Sequence, residues 1–212
     1  TFTLQLLANV PKKVPFCTRR IREKKLLFAD ADSIVRAEKR LFSLCHKRLL
    51  VCPGSGGTKL KLWPADHWKD FLTAVIMDGW NIVLIGSGEE ERMQANQITS
   101  SLPSNSFLNL TDSVPIEDIL GIAVCCNAAV GNDTGLLHLA ALAGVPTVGI
   151  FSHPTSWRVG FRMPWFSEVA ADNEIKRFRW EDKRTSYVLP NLKPDEVLKE
   201  FRKLTGRVQQ DN

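Results

Sequence analysis

Apolar and polar positions along this chain fall into blocks whose period switches between about two and about 3.6 residues, in a repeating order. Short apolar runs bounded by turn residues read as buried strands: Arg48–Cys52 (RLLVC), Trp80–Ile85 (WNIVLI), Phe107–Leu110, Ala128–Gly131 and Thr147–Phe151. Lys25–Phe28 carries a weaker strand signal, broken off from what precedes it by Pro11 and Pro15. Helical spacing appears over Ser33 to Cys45, with Ile34, Ala37, Leu41 and Leu44 on one stripe and charges opposite. After Pro64, a good residue for a first helical turn, Trp68, Phe71, Leu72 and Val75 predict a helix to about Met77. Further helices are expected from the acidic start Glu89–Glu91, over Ile116–Cys126, and over Pro194 to Leu204 behind the signal KPDEV.

The most regular block is AAVGNDTGLLHLAALAGVPTVGIF, residues 128–151. Leu136, Leu137, Leu139, Ala140 and Ala143 recur at helical spacing, and Gly144 followed by Pro146 closes the helix. Strand and helix therefore alternate, with short loops, at least three times between residues 48 and 151. That order predicts an α/β fold, a parallel sheet with helices on both faces. Beyond Phe151 the pattern loosens into SHPTSWRVGFRMPWF, which reads as irregular.

Composition narrows the class. A mean hydropathy of −0.11 and 44% hydrophobic residues suit a globular protein with an ordinary core. No apolar run approaches the ~20 residues of a membrane span, and TFTLQLLANVPKK lacks the order of a signal peptide. The chain opens on Thr1 without an initiator methionine, the expected mark of a piece of something longer. Five cysteines without framework spacing point to a reducing compartment, with Cys125 and Cys126 as core residues. Charge is uneven: residues 1–50 hold 12 Lys/Arg against 4 Asp/Glu, whereas the remainder holds 16 against 19. Two readings of the basic quarter stand open, a solvated face or attraction to an anionic surface such as phospholipid headgroups. Nucleic acid fits less well, because no aromatic residues interleave with the charges.

Three polar stretches follow strands. In the first, Asn132 to Gly135, Asp133 or Thr134 occupies the N-cap position, Gly135 admits close approach of a ligand, and His138 lies one turn in. Ligands of open parallel sheets bind at the carboxyl ends of strands, where a helix N-terminus attracts anions. The alternative is that Asp133 and Thr134 only cap and His138 is a satisfied surface residue. The second stretch, Pro53–Pro64, carries Gly54, Gly56 and Gly57 with Ser55, Thr58, Lys59 and Lys61. Glycines let N–H groups converge on phosphate oxygens and a lysine supplies counter-charge. It is not a Walker A loop, since Thr58 stands where the second glycine before lysine belongs. The third, Gly86-Ser87-Gly88-Glu89-Glu90-Glu91, begins like a dinucleotide fingerprint but has Glu91 in the third-glycine position. One of its carboxylates suits ribose hydroxyls, and an ordinary helix start is the competing reading. The four histidines lack metal-ligand spacing, no serine sits in a GxSxG elbow, and no general base is legible.

Taken in order, PGSGGTKLKLWPADHW, VLIGSGEEE and GNDTGLLHLAALAGVPTVGIF resemble the carboxyl-terminal half of glycosyltransferase family 9, the ADP-heptose:lipopolysaccharide heptosyltransferases. The resemblance covers residues 48–151 well and the last helix loosely. It implies a GT-B architecture of two Rossmann-like domains, here a remnant of the amino-terminal one (1–47) and a donor-binding one (48–212). It implies that Ser55, Thr58 and Lys61 contact the donor diphosphate, and that Asp133, Thr134 and Gly135 meet phosphates and sugar with His138 beside them. Glu90, less surely Glu89, would bind ribose, and Val114-Pro115 would lie against adenine. The implied reaction is inverting, metal-independent transfer of heptose or a similar sugar to a lipopolysaccharide core, with no cofactor and with Lys61 stabilising the leaving group. The implied location is the cytoplasm of a Gram-negative bacterium, with peripheral contact at the inner membrane. The family's catalytic aspartate and acceptor site belong to the amino-terminal domain, nearly all of which lacks a counterpart here. The segment after Phe151 also departs from the cysteine-bearing pattern of many members. A nucleotide-sugar-binding module that needs a partner, and a nucleotide-sugar epimerase, are the alternatives.

Overall fold

The computed structural model describes residues 25–45, 47–56, 61–152, 163–171 and 189–210. Six parallel strands form one sheet: β1 (Arg48–Cys52), β2 (Asn81–Leu84), β3 (Phe107–Asn109), β4 (Ala128–Asn132), β5 (Thr147–Phe151) and β6 (Phe166–Ala170). Their order across the sheet is β3-β2-β1-β4-β5-β6, the doubly wound Rossmann order. The chain runs outward from β1 to β3, then returns to place β4 on the other side of β1, with Leu49 opposite both Ile82 and Ala128. The expected Rossmann-like α/β architecture is therefore the observed one.

Strand alternation divides the core into two layers. Leu49, Val51, Ile82, Leu84, Val130, Val148 and Ile150 face α2 (Ala65–Met77), α3 (Glu89–Thr99) and α6 (Pro194–Gln210). Leu50, Cys52, Val83, Ile85 and Ala129 face α1 (Ala31–Leu41), α4 (Ile119–Val124) and α5 (Gly135–Leu142). The α1 helix shares this second layer through Ala37 and Leu41, and Leu44 joins them just beyond its end. Its Arg36 pairs with buried Asp118 at 2.7 Å, while Glu38 accepts from buried Arg48 at the start of β1.

Several boundaries differ from the pattern-based ones. Helix α1 begins at Ala31 because the Asp30 carboxylate caps it by accepting from the Ser33 N–H, and it ends at Leu41 rather than Cys45. Ile34 lies partly exposed, and buried Ser33 stands on the packed side instead. Pro64 caps α2 rather than opening it. Ile116–Asp118 forms a 3-10 turn before α4 starts. Lys25–Phe28 is not a strand: the N–H groups of Leu26 and Leu27 donate to the Leu142 carbonyl at the end of α5. Strand β6 starts at Phe166, the last residue of the stretch read as irregular, and runs to Ala170 where no element was expected; its residues are only partly buried at the sheet edge. Helix α6 runs on to Gln210, well past Leu204.

Candidate functional site

The carboxyl ends of β1 and β4 lie side by side at the point where the strand order reverses, the place where open parallel sheets hold ligands in a crevice. Three side chains meet at its β4 side. Lys61, from the β1–α2 connection, places Nζ 2.8 Å from Asp133 Oδ2. His138, one turn into α5, places Nε2 3.0 Å from Asp133 Oδ1. The His138 contact, then the Lys61 ammonium, hold the Asp133 carboxyl down to about 2 from an ordinary value of 3.8, against the opposing effect of burial. Asp133 is thus a fixed anion at neutral pH. Nζ also donates to the Asp133 carbonyl at 3.4 Å, and the Lys61 side chain is 41% exposed, so one of its three N–H donors is left for a ligand.

Thr134, not Asp133, caps α5: its side chain accepts from the Leu137 N–H, which frees Asp133 to reach across to Lys61. Gly135 is exposed, and a Cβ there would meet nothing within 4 Å, so the first turn of α5 is open to close approach. Thr58 lies outside the described residues, as do Gly57 and Lys59. Glu89 is taken up by Arg92 on the outer face of α3, and Glu90 is exposed at the same helix start. Val114 packs against the α4–α5 layer beside Pro115, which precedes the 3-10 turn.

Two residues outside the expected set organise this edge. Asn132, fully buried at the end of β4, donates through Nδ2 to the carbonyls of Pro53 (2.6 Å) and Gly54 (3.1 Å). Glu91 accepts from the N–H groups of Ser55 (3.2 Å) and Gly56 (3.4 Å) through Oε1 and of Ser87 (2.9 Å) through Oε2. Asp112, in turn, accepts from the Gly88 N–H at 2.6 Å. Side chains therefore tie the loop after β4 to that after β1, β1 to β2, and β2 to β3. The available signals were an asparagine ending an apolar strand and a glutamate where a dinucleotide fingerprint has glycine.

In doubly wound sheets the switch point is where nucleotides and other ligands bind. Residues 7–175 match the model of glycosyltransferase family 9 (heptosyltransferase), and the chain belongs to that family. It is 26% identical over 189 residues to lipooligosaccharide heptosyltransferase 2 of Haemophilus influenzae, covering 84% of this chain and 53% of that protein. With lipopolysaccharide heptosyltransferase 2 of Salmonella typhimurium it is 32% identical over 115 residues, 52% of this chain and 33% of the other. The structure of Escherichia coli ADP-heptose lps heptosyltransferase II superposes with a TM-score of 0.69 at 22% identity, over 88% of this chain and 54% of that one. An E. coli heptosyltransferase solved with ADP gives 0.63 at 17% identity, over 79% and 48%. The chain spans about half the length, or less, of the curated relatives it matches.

Proposed function

We propose that residues 48–212 are the donor-holding, carboxyl-terminal half of a glycosyltransferase that moves heptose, or a similar sugar, from an ADP-sugar to a lipopolysaccharide core. The observation that carries this reading is the meeting of Lys61 with Asp133 beside the open first turn of α5, at the reversal of strand order. A diphosphate seated there gains the N–H groups of the α5 N-terminus and the Lys61 ammonium. Asp133 anchors Lys61 so that its charge is in place before the glycosidic bond breaks, when negative charge grows on the leaving diphosphate. Ser55 lies on the β1 side of the same crevice, and Glu90 at the α3 start suits a ribose hydroxyl. In this reading the base that activates the acceptor, and the acceptor site, come from an amino-terminal domain. Inversion at the anomeric carbon, independence of metal, and peripheral attachment to an anionic inner-membrane surface through Lys12–Arg48 belong to the same proposal.

Calorimetric titration with ADP, UDP, GDP and ADP-heptose tests it. Selective binding of the two adenine compounds supports the donor site; equal binding of all, or of none, counts against it. A second reading is a donor-binding module that needs another polypeptide for transfer. Sugar transfer by this chain alone would exclude that reading. Release of epimerised sugar without acceptor would instead favour an epimerase.

A further inference from the structure

The two glycine-rich turns at this edge are built around a carboxylate of the protein itself. The N–H groups of Ser55, Gly56 and Ser87 converge on Glu91, not on open space. A Cβ at Gly54 would fall on the Glu91 carboxylate, and one at Gly86 would come within 2.8 Å of its Oε2. Glycine at both positions thus makes room for Glu91. On its other side the β1 turn gives the carbonyls of Pro53 and Gly54 to buried Asn132. The turn is held from both directions: its acceptors by β4 and its donors by α3.

We infer that Glu91 is a positioning residue for the donor, bracing the turns after β1 and β2 so that Ser55 faces a diphosphate held at Lys61 and the start of α5. The inference rests on the donor-site reading. Two consequences follow from the geometry. Two of its three N–H contacts are on the β1 turn, so the brace acts mainly on the phosphate-binding side of the crevice. The N–H groups already given to Glu91 are also not the main phosphate ligands, which puts that load on α5 and Lys61.

The test titrates the whole chain with ADP and with adenosine, as wild type, Glu91→Gln, Gly54→Ala and the double variant. Glu91→Gln removes the charge and replaces one acceptor by an amide that faces N–H donors; Gly54→Ala pushes the carboxylate out. Glu91→Gln is expected to weaken ADP about tenfold while adenosine changes less than about twofold, with Gly54→Ala alike and the double variant no worse than Glu91→Gln. Unchanged ADP affinity in Glu91→Gln, or an equal loss for adenosine, overturns the inference, since a general fold defect would weaken both. If the wild type binds neither compound, the donor reading is what has failed, and the brace is judged by amide exchange. Faster exchange at Ser55, Gly56 and Ser87 in Glu91→Gln, with Leu50 and Val83 unaltered, supports it. Unchanged exchange at those three amides overturns it.

Discussion

Asp133 gathers two cationic or hydrogen-bonding neighbours on a single carboxylate, and the consequences are measurable one residue at a time. Its depressed pKa, about 2 against 3.8, means the unfolded chain binds the proton more tightly than the folded one. Stability from this group is therefore present above about pH 4 and lost as pH falls toward 2, to the extent of about 2 kcal/mol. Asp133→Asn should lower neutral-pH stability by that order and flatten this part of the stability–pH curve, read by urea denaturation at several pH values. An unaltered pH profile would mean the contacts to Lys61 and His138 contribute nothing. Lys61→Ala should weaken ADP about tenfold or more, since a charge-assisted contact is worth about 1.5–3 kcal/mol. Unchanged affinity would remove Lys61 from the site. Gly135→Ala separates fold from ligand approach: its Cβ points into open space, so the melting temperature should hold while ADP binding falls. Tight ADP binding by that variant would show that the diphosphate sits elsewhere. The thiols of Cys52 and Cys126 are pushed far up by burial, which makes them unreactive core residues.

At the scale of elements, an aromatic seam joins α2, β2 and α6. Trp63, Trp68, Phe71, Trp80 and Phe201 pack edge to face, with centroids 4.9–6.2 Å apart. Trp63 also donates through Nε1 to the Leu192 carbonyl at 2.9 Å, which ties the approach to α2 to that of α6. Trp63→Phe keeps much of the packing but strands a buried carbonyl, so a loss of about 1–3 kcal/mol is expected in chemical denaturation. A change below about 0.5 kcal/mol would indicate that solvent or a neighbour replaces the indole N–H. Strand β6 depends on its neighbour: FSEVA has weak periodicity, and pairing with β5 makes it a strand. Helix α6 continues to Gln210, beyond the Leu204 end that its apolar spacing predicted.

For the whole molecule, the reversal of strand order next to β1 marks the edge of the proposed donor site, and ligand binding there should be felt globally. ADP at about one hundred times its dissociation constant should add about 2.7 kcal/mol of stability, visible as a raised melting temperature. UDP and GDP at the same concentration should add less; an equal rise for all three would argue against adenine preference. None of the helices among the described residues is long and apolar enough to cross a membrane. Peripheral attachment by the basic quarter predicts sedimentation with anionic vesicles that disappears in high salt, and salt-insensitive sedimentation would exclude it.

Local pattern by itself determined β1 and β5 to the residue, the capped helix between β4 and β5, the alternation that makes a parallel sheet, and Lys61, Asp133 and His138 as candidates. Each of these depends on neighbours within a few positions, where periodicity and caps operate. The tertiary structure decided which loops adjoin. It paired Lys61 with Asp133 across 72 residues, Asn132 with Pro53 across 79, and Glu91 with Ser55 across 36. It also turned Glu91 onto the β1 turn while Glu89 pairs with Arg92. Such partners have no signature in a linear chain, because the distance between them exists only once the strand order has brought their loops together.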